Sequence, residues 1–161
     1  MAATVAEAFL DALGDQEPGA RRALRALRPS AGGDERARAL QLAAFAVREW
    51  LGQALEISTT EHPDLVPRTG RRIDEFAELP DEAAAREAGR FALAVADLAR
   101  QARADDVHDL ALHAGLAAVA AADGDWPLAG RRAALAAHAL GGGAIEAPIE
   151  AEAALRAIGA L

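Results

Sequence analysis

More than a quarter of this chain is alanine, and no other feature of the sequence narrows its folding choices so far. Alanine fixes no side-chain rotamers when it enters a helix, so it favours helix almost everywhere it is placed. Valine, isoleucine and threonine are too sparse to furnish a sheet. The expectation is an all-α protein. With 161 residues, 52% hydrophobic but only 4% aromatic, the chain is long enough to bury a real core in one helical domain.

Two apolar stripes set the scale of the helices. Ala37, Leu40, Ala44, Val47, Leu51 and Ala54 step by three and four, which places them on one side and leaves Arg38, Gln41, Arg48 and Glu49 mostly elsewhere. Ala84, Ala88, Phe91, Val95, Leu98 and Ala102 repeat the pattern. Two such long helices predict close packing in an antiparallel bundle of seven or eight helices.

Punctuation supplies the remaining boundaries. Thr4 caps a first helix that buries Val5, Phe9 and Leu13 and stops at Gly14. Pro18 leads into a second helix that ends before Pro29, and Asp34 caps the third. The helices of residues 1–57 give way to a loop over 58–72, where "STTEHPDLVPRTGRR" carries two prolines and a glycine. Helices resume over 73–161: a short one at "IDEFAEL", a long one after Pro80, and one capped by Asp105 or Asp106. Pro127 opens the next, which ends at Gly141–Gly143, and Pro148 opens the last, anchored by Leu155, Ile158 and Leu161.

Residues 116–140, "LAAVAAADGDWPLAGRRAALAAHAL", resemble one tetratricopeptide-repeat unit. The matches are Leu116, then Gly124-Asp125-Trp126 at the turn, then Ala129 and Ala136. That family places a glycine and an aromatic residue at the turn and small residues where its second helix crosses the first. The resemblance implies a repeat-like, solenoidal C-terminal half and a protein-binding surface that includes Trp126. Without a second copy at the family's period, the same stretch reads as the tight corner of a helical hairpin.

Reactive chemistry is scarce. With no cysteine, lysine or tyrosine there is no thiolate, Schiff-base amine or phenolic acid. "GGGA" at 141–144 lacks the Lys-Ser/Thr pair and preceding strand of a phosphate loop. Asp109 and His113, four apart on a helix, are the candidate metal pair, but two ligands are too few; a surface hydrogen bond between them is the plainer reading. His108 and His113 are five apart, about 140° around a helix, and do not converge. His62 and His138 are unplaced. The expectation is no catalytic residue and no cofactor.

Arginine supplies all seventeen basic residues, in two clusters. Arg21, Arg25 and Arg28 share one helix face with Arg22 beside it; Arg68, Arg71 and Arg72 sit in or after the long loop. Guanidinium groups bind phosphate and carboxylate bidentately, so both clusters are candidates for a partner or anion. The first also raises a DNA-binding regulator, against which stands the net charge of −8. The start of the chain lacks a basic n-region, and no long uncharged apolar run suggests a membrane span, which points to the cytoplasm. The expected function is a non-catalytic helical module that binds a protein partner or itself. A small-molecule or metal-binding bundle is the alternative.

Overall fold

The computed structural model describes residues 3–58, 61–67 and 72–161. Eight α-helices run in the order α1 (Val5–Gln16), α2 (Arg21–Ala26), α3 (Glu35–Phe45), α4 (Gly52–Ser58), α5 (Glu82–Gln101), α6 (Asp105–Ala122), α7 (Trp126–Ala139) and α8 (Gly143–Ala157), with no strand among the described residues. The π-helical segment Ala46–Leu51 joins α3 to α4 in one continuous rod. The expected all-α helical bundle is thus present, with α5, α6 and α7 antiparallel in succession but α1 parallel to α7.

The helix starts follow local chemistry. Thr4, Asp34, Asp81 and Asp125 each accept a backbone N–H with a side-chain oxygen, which satisfies one of the open donors of a first turn. Three starts or stops depart from expectation. The first helix runs two residues past Gly14 to Gln16. Ala104, not Asp105 or Asp106, is the N-cap of α6; the two aspartates occupy its first turn, where the helix dipole favours negative charge. α8 begins at Gly143, so Pro148 lies inside it. A proline there removes the bond to the Ala144 carbonyl, and Ala144 is exposed, so water can take the place of the missing donor.

Helices α5, α6 and α7 form an up-down-up layer. An ion pair from Arg86 to Asp123 at 3.0 Å closes one end of the α5–α6 pair, and His108 Nδ1 donates to the Ala96 carbonyl at 2.9 Å near the other. On its far side α7 is covered chiefly by α1, from the opposite end of the chain. A stacked repeat would put the next unit in sequence there, so the hairpin of residues 116–140 is real while a solenoid is not what surrounds it. α1 runs parallel to α7: Val5 and Phe9 lie against Gly130, and His138 Nδ1 meets Glu17 Oε1 at 2.8 Å.

Small residues make these seams close. Ala111, Ala114, Ala117, Ala118 and Ala121 of α6 have no exposed surface, nor do Ala85, Ala88 and Ala92 of α5. A methyl group on Gly130 would stand 2.4 Å from the Val5 carbonyl oxygen, so α7 reaches α1 only because residue 130 has no side chain.

The α3–α4 rod crosses this layer and is buried on more than one side. Besides the expected stripe, Ala39, Leu42, Ala43, Ala46 and Trp50 are enclosed. Trp50 stacks on Phe9, with ring centroids 6.2 Å apart, and meets Phe45 edge-on at 5.2 Å. Arg38, expected to lie off the stripe, is 7% exposed. Its guanidinium donates to the Ser30 carbonyl and hydroxyl, both at 2.8 Å, and to the Gly159 carbonyl at 3.2 Å. It therefore ties the segment before α3 to the end of the chain. The stretch after α4 is less open than its composition suggests: Pro63–Leu65 forms a 3₁₀ turn with Leu65 buried, and Ile73–Phe76 forms another with Phe76 buried.

Candidate functional site

The outer face of α8 carries the most exposed apolar residues of the long helices. Ala147, Ala151, Ala154 and Leu155 turn inward and are buried. By the 3.6-residue period, Ile145 and Ile149 fall on the opposite face. They are 79% and 58% exposed. Four residues apart, they stand one above the other and form a joint apolar ridge. Ala153 continues that ridge at the same four-residue step and is exposed, whereas Ala157 lines a cleft against α3 with Gln41, Ala44 and Phe45.

Helix α8 is held at several points. Gly19 lies against Ala144 near its start, and the Ser30 N–H donates to the Ala160 carbonyl at 2.8 Å just past its end. On its flank, Trp50 Nε1 donates to Glu150 Oε2 at 3.0 Å. Arg156 pairs with Glu152 at 2.8 Å on the outer side. The exposed isoleucines therefore sit on an anchored helix.

A second feature is a cleft of about 630 Å³ beside the π-segment, lined by Arg48, Glu49, Gln53, Leu55, Phe91, Ile73 and others. Arg48 pairs with Glu49 and lies 3.9 Å from Asp74, while its buried Nε has no hydrogen-bond partner among the described residues. π-turns widen a helix and recur at binding sites. Arg72 lines the same cleft, and its backbone N–H donates to Glu75 at 3.2 Å. Arg68 and Arg71 lie outside the described residues.

The N-terminal arginines do not form one stripe. α2 is six residues long and ends at Ala26, so Arg28 is beyond it. Arg21 donates to the Gly14 carbonyl at 3.1 Å and pairs with Asp15 at 3.3 Å. Arg21 and Arg25 line a cleft whose other wall is Glu7, Asp11 and Asp15 of α1. Acid from this same chain meets that part of the cluster, while Arg22 is exposed. Trp126 opens α7 half-buried, packed against the core beside Gly124.

The histidines are dispersed. His108 donates to α5 and His138 meets Glu17 on α1. His62 lies beside Asp64, Leu65 and Gln101. His113 is half-buried, and its Nδ1 finds no partner among the described residues, so the expected hydrogen bond to the exposed Asp109 is not made at that atom. Burial, then the charge of Arg132, holds the His113 imidazole below its ordinary pKa; Asp109 pulls the other way and His108 adds to the depression. Among the described residues no three His, Asp, Glu or Cys groups converge as a metal site. No helix among them is long and apolar enough to cross a membrane.

Comparison with protein-family models, curated protein sequences and solved structures finds no match.

Ile145 and Ile149 escape a reading of the sequence that opens the last helix at Pro148, because α8 begins at Gly143. The signal was present in "GGGAIEAPIE": three glycines, then two isoleucines four apart. All three glycines adopt positive φ, the turn that frees α8 to begin at once.

Proposed function

We propose that this chain is a non-catalytic helical binding module that docks another protein surface on the outer face of α8. The observation that carries the reading is the Ile145–Ile149 ridge, two large apolar side chains exposed on a helix whose inner face is already anchored. Exposed apolar side chains gathered on one face, rather than scattered, are a mark of protein interaction sites. The dispersal of the histidines over separate elements and the acids beside Arg21 and Arg25 support a binding role over a reactive one.

Photo-crosslinking in cells tests this. A photoreactive side chain at position 149 should give protein adducts, identified by mass spectrometry, that one at exposed position 86 does not. Equal or absent adducts at 149 would overturn the reading.

A further inference from the structure

We propose that the partner docked on α8 is a basic amphipathic helix of another protein, whose apolar stripe lies along Ile145, Ile149 and Ala153 and enters the cleft beside Ala157. The inference rests on the reading of α8 as a docking face and names the chemistry of its occupant.

The apolar surface is longer than the two isoleucines. Ile145, Ile149, Ala153 and Ala157 follow one another at four-residue steps, about 18 Å along α8. At Ala157 the row reaches a cleft of about 580 Å³ whose walls include Ala44, Phe45, Leu79 and Pro80. Phe45 is half-buried and Pro80 exposed, so the cleft offers apolar surface to a side chain entering from outside. Such a row suits a helix of about three turns, with apolar residues three and four apart and a large one at its end.

The charges around this surface are one-sided. By the helical period Glu146 and Glu150 lie about 60° and 100° around α8 from Ile149, on the flank that faces Trp50. Glu78 stands exposed at the cleft. Trp50 donates to Glu150 but brings no charge, and no cation among the described residues pairs with Glu146, Glu150 or Glu78. The arginines beside the surface are already neutralised, Arg156 by Glu152 at 2.8 Å and Arg48 by Glu49. A second copy would set these uncompensated acids against themselves, and an anionic membrane would be repelled by them. Lysine or arginine flanking the apolar stripe of a partner helix meets them instead. Complementary charge of this kind selects the partner more than it adds affinity.

Binding of labelled synthetic peptides to the full chain, followed by fluorescence anisotropy, tests this. The peptides are helices of about 14 residues. One has leucines three and four apart flanked by lysine. The second has the same leucines flanked by glutamate, and the third has the same lysines with glutamine in place of leucine. At low salt the leucine–lysine peptide should bind about tenfold or more tightly than either of the others, and its advantage over the glutamate peptide should shrink in about 0.5 M salt. Ile149→Ser should weaken it about fivefold or more, whereas Ile57→Ser, at another exposed isoleucine, should not. Glu78→Lys combined with Glu146→Lys should narrow the preference for lysine over glutamate by about fivefold or more. The same change at Glu7 and Asp11, exposed on α1, should leave that preference in place. Glu150 is kept in every variant because it holds Trp50. Circular dichroism and melting temperature confirm that each variant remains folded.

Equal binding of the lysine and glutamate peptides overturns the inference. So does a lysine–glutamine peptide that binds as well as the leucine one, or a preference untouched by Glu78→Lys with Glu146→Lys. Absence of any peptide binding overturns it too, as does Ile149-dependent attachment to phosphatidylcholine vesicles in its place, which would make the occupant a lipid surface. In each of these cases the crosslinks at position 149 decide separately whether α8 docks a protein. With adducts there, only the basic helix is refuted; without them, both readings fall.

Discussion

Gly130→Ala adds one methyl group where two helices meet most closely, and its effect follows from the distances. The new Cβ would stand 2.4 Å from the Val5 carbonyl oxygen, 3.0 Å from the Phe9 nitrogen and 3.1 Å from the Ala8 Cβ. An ordinary carbon–oxygen contact is about 3.3 Å. The α1 and α7 backbones must therefore separate by nearly 1 Å, and neither contains a rotatable group that could yield. Alanine favours helix over glycine by about 1 kcal/mol, which opposes the loss. Overpacking a dense core costs about 1–3 kcal/mol, and here the obstruction is backbone along a whole seam. With the cost at the upper end of that range and the helix gain subtracted, the expected net effect is a destabilisation of about 1–2 kcal/mol. Gly52→Ala is the matched control: its Cβ would meet only the Ile73 Cδ1, at 3.6 Å, in helical backbone. It should stabilise by about 0.5–1 kcal/mol. Urea denaturation followed by circular dichroism gives both values. A Gly130→Ala protein as stable as the native chain, or two substitutions of the same sign, would refute the close-seam argument.

Other substitutions probe other parts of the fold. Arg38→Ala leaves the Ser30 and Gly159 carbonyls without their donor and should cost about 2–4 kcal/mol by urea denaturation. Arg103 holds φ 59° just after α5, with the Ala104 N–H bonded back to Ala99 at 2.8 Å. Glycine fits that left-handed site, so Arg103→Gly should stabilise by about 0.5–1 kcal/mol, read from the shift in urea midpoint. His113 has its folded-state pKa below the unfolded value near 6.5. Above that pH it is neutral in both states and costs nothing. As pH falls below it the unfolded chain binds the proton first, so stability declines until the folded-state value is reached. His113→Gln should flatten that part of the stability–pH curve, measured by urea titration from pH 7 down to pH 5; an unchanged slope would refute the assignment.

The parts of this fold that were legible are those decided within a few residues. Thr4, Asp34 and Pro80-Asp81 mark helix starts because a side-chain oxygen three residues upstream closes an open N–H. The two long seams were legible because they are periodic. What was not legible depends on distant partners. Arg38 looks solvent-facing until Ser30 and Gly159 arrive from elsewhere in the chain to accept its donors. The enclosure of Trp50 needs Phe9 from α1 and Glu150 from α8. Arg21 and Arg25 looked like a free basic face because the acids beside them belong to the preceding helix. The candidate surface is hidden in the sequence by a proline inside its helix. Proline is common in a first turn, so Pro148 reads as a helix start, which leaves Ile145 outside the helix that α8 in fact opens at Gly143.

The chain has five isoleucines: 57, 73, 145, 149 and 158. Selective δ1-methyl labelling therefore yields a spectrum in which the proposed surface has its own two signals. Ile57 is an exposed control at 71%, and Ile158 is a buried one. On addition of the protein captured by a photoreactive residue at position 149, the account predicts that the methyl signals of Ile145 and Ile149 move together while those of Ile57 and Ile158 hold still. Stationary signals at 145 and 149, or movement confined to Ile57, would contradict it.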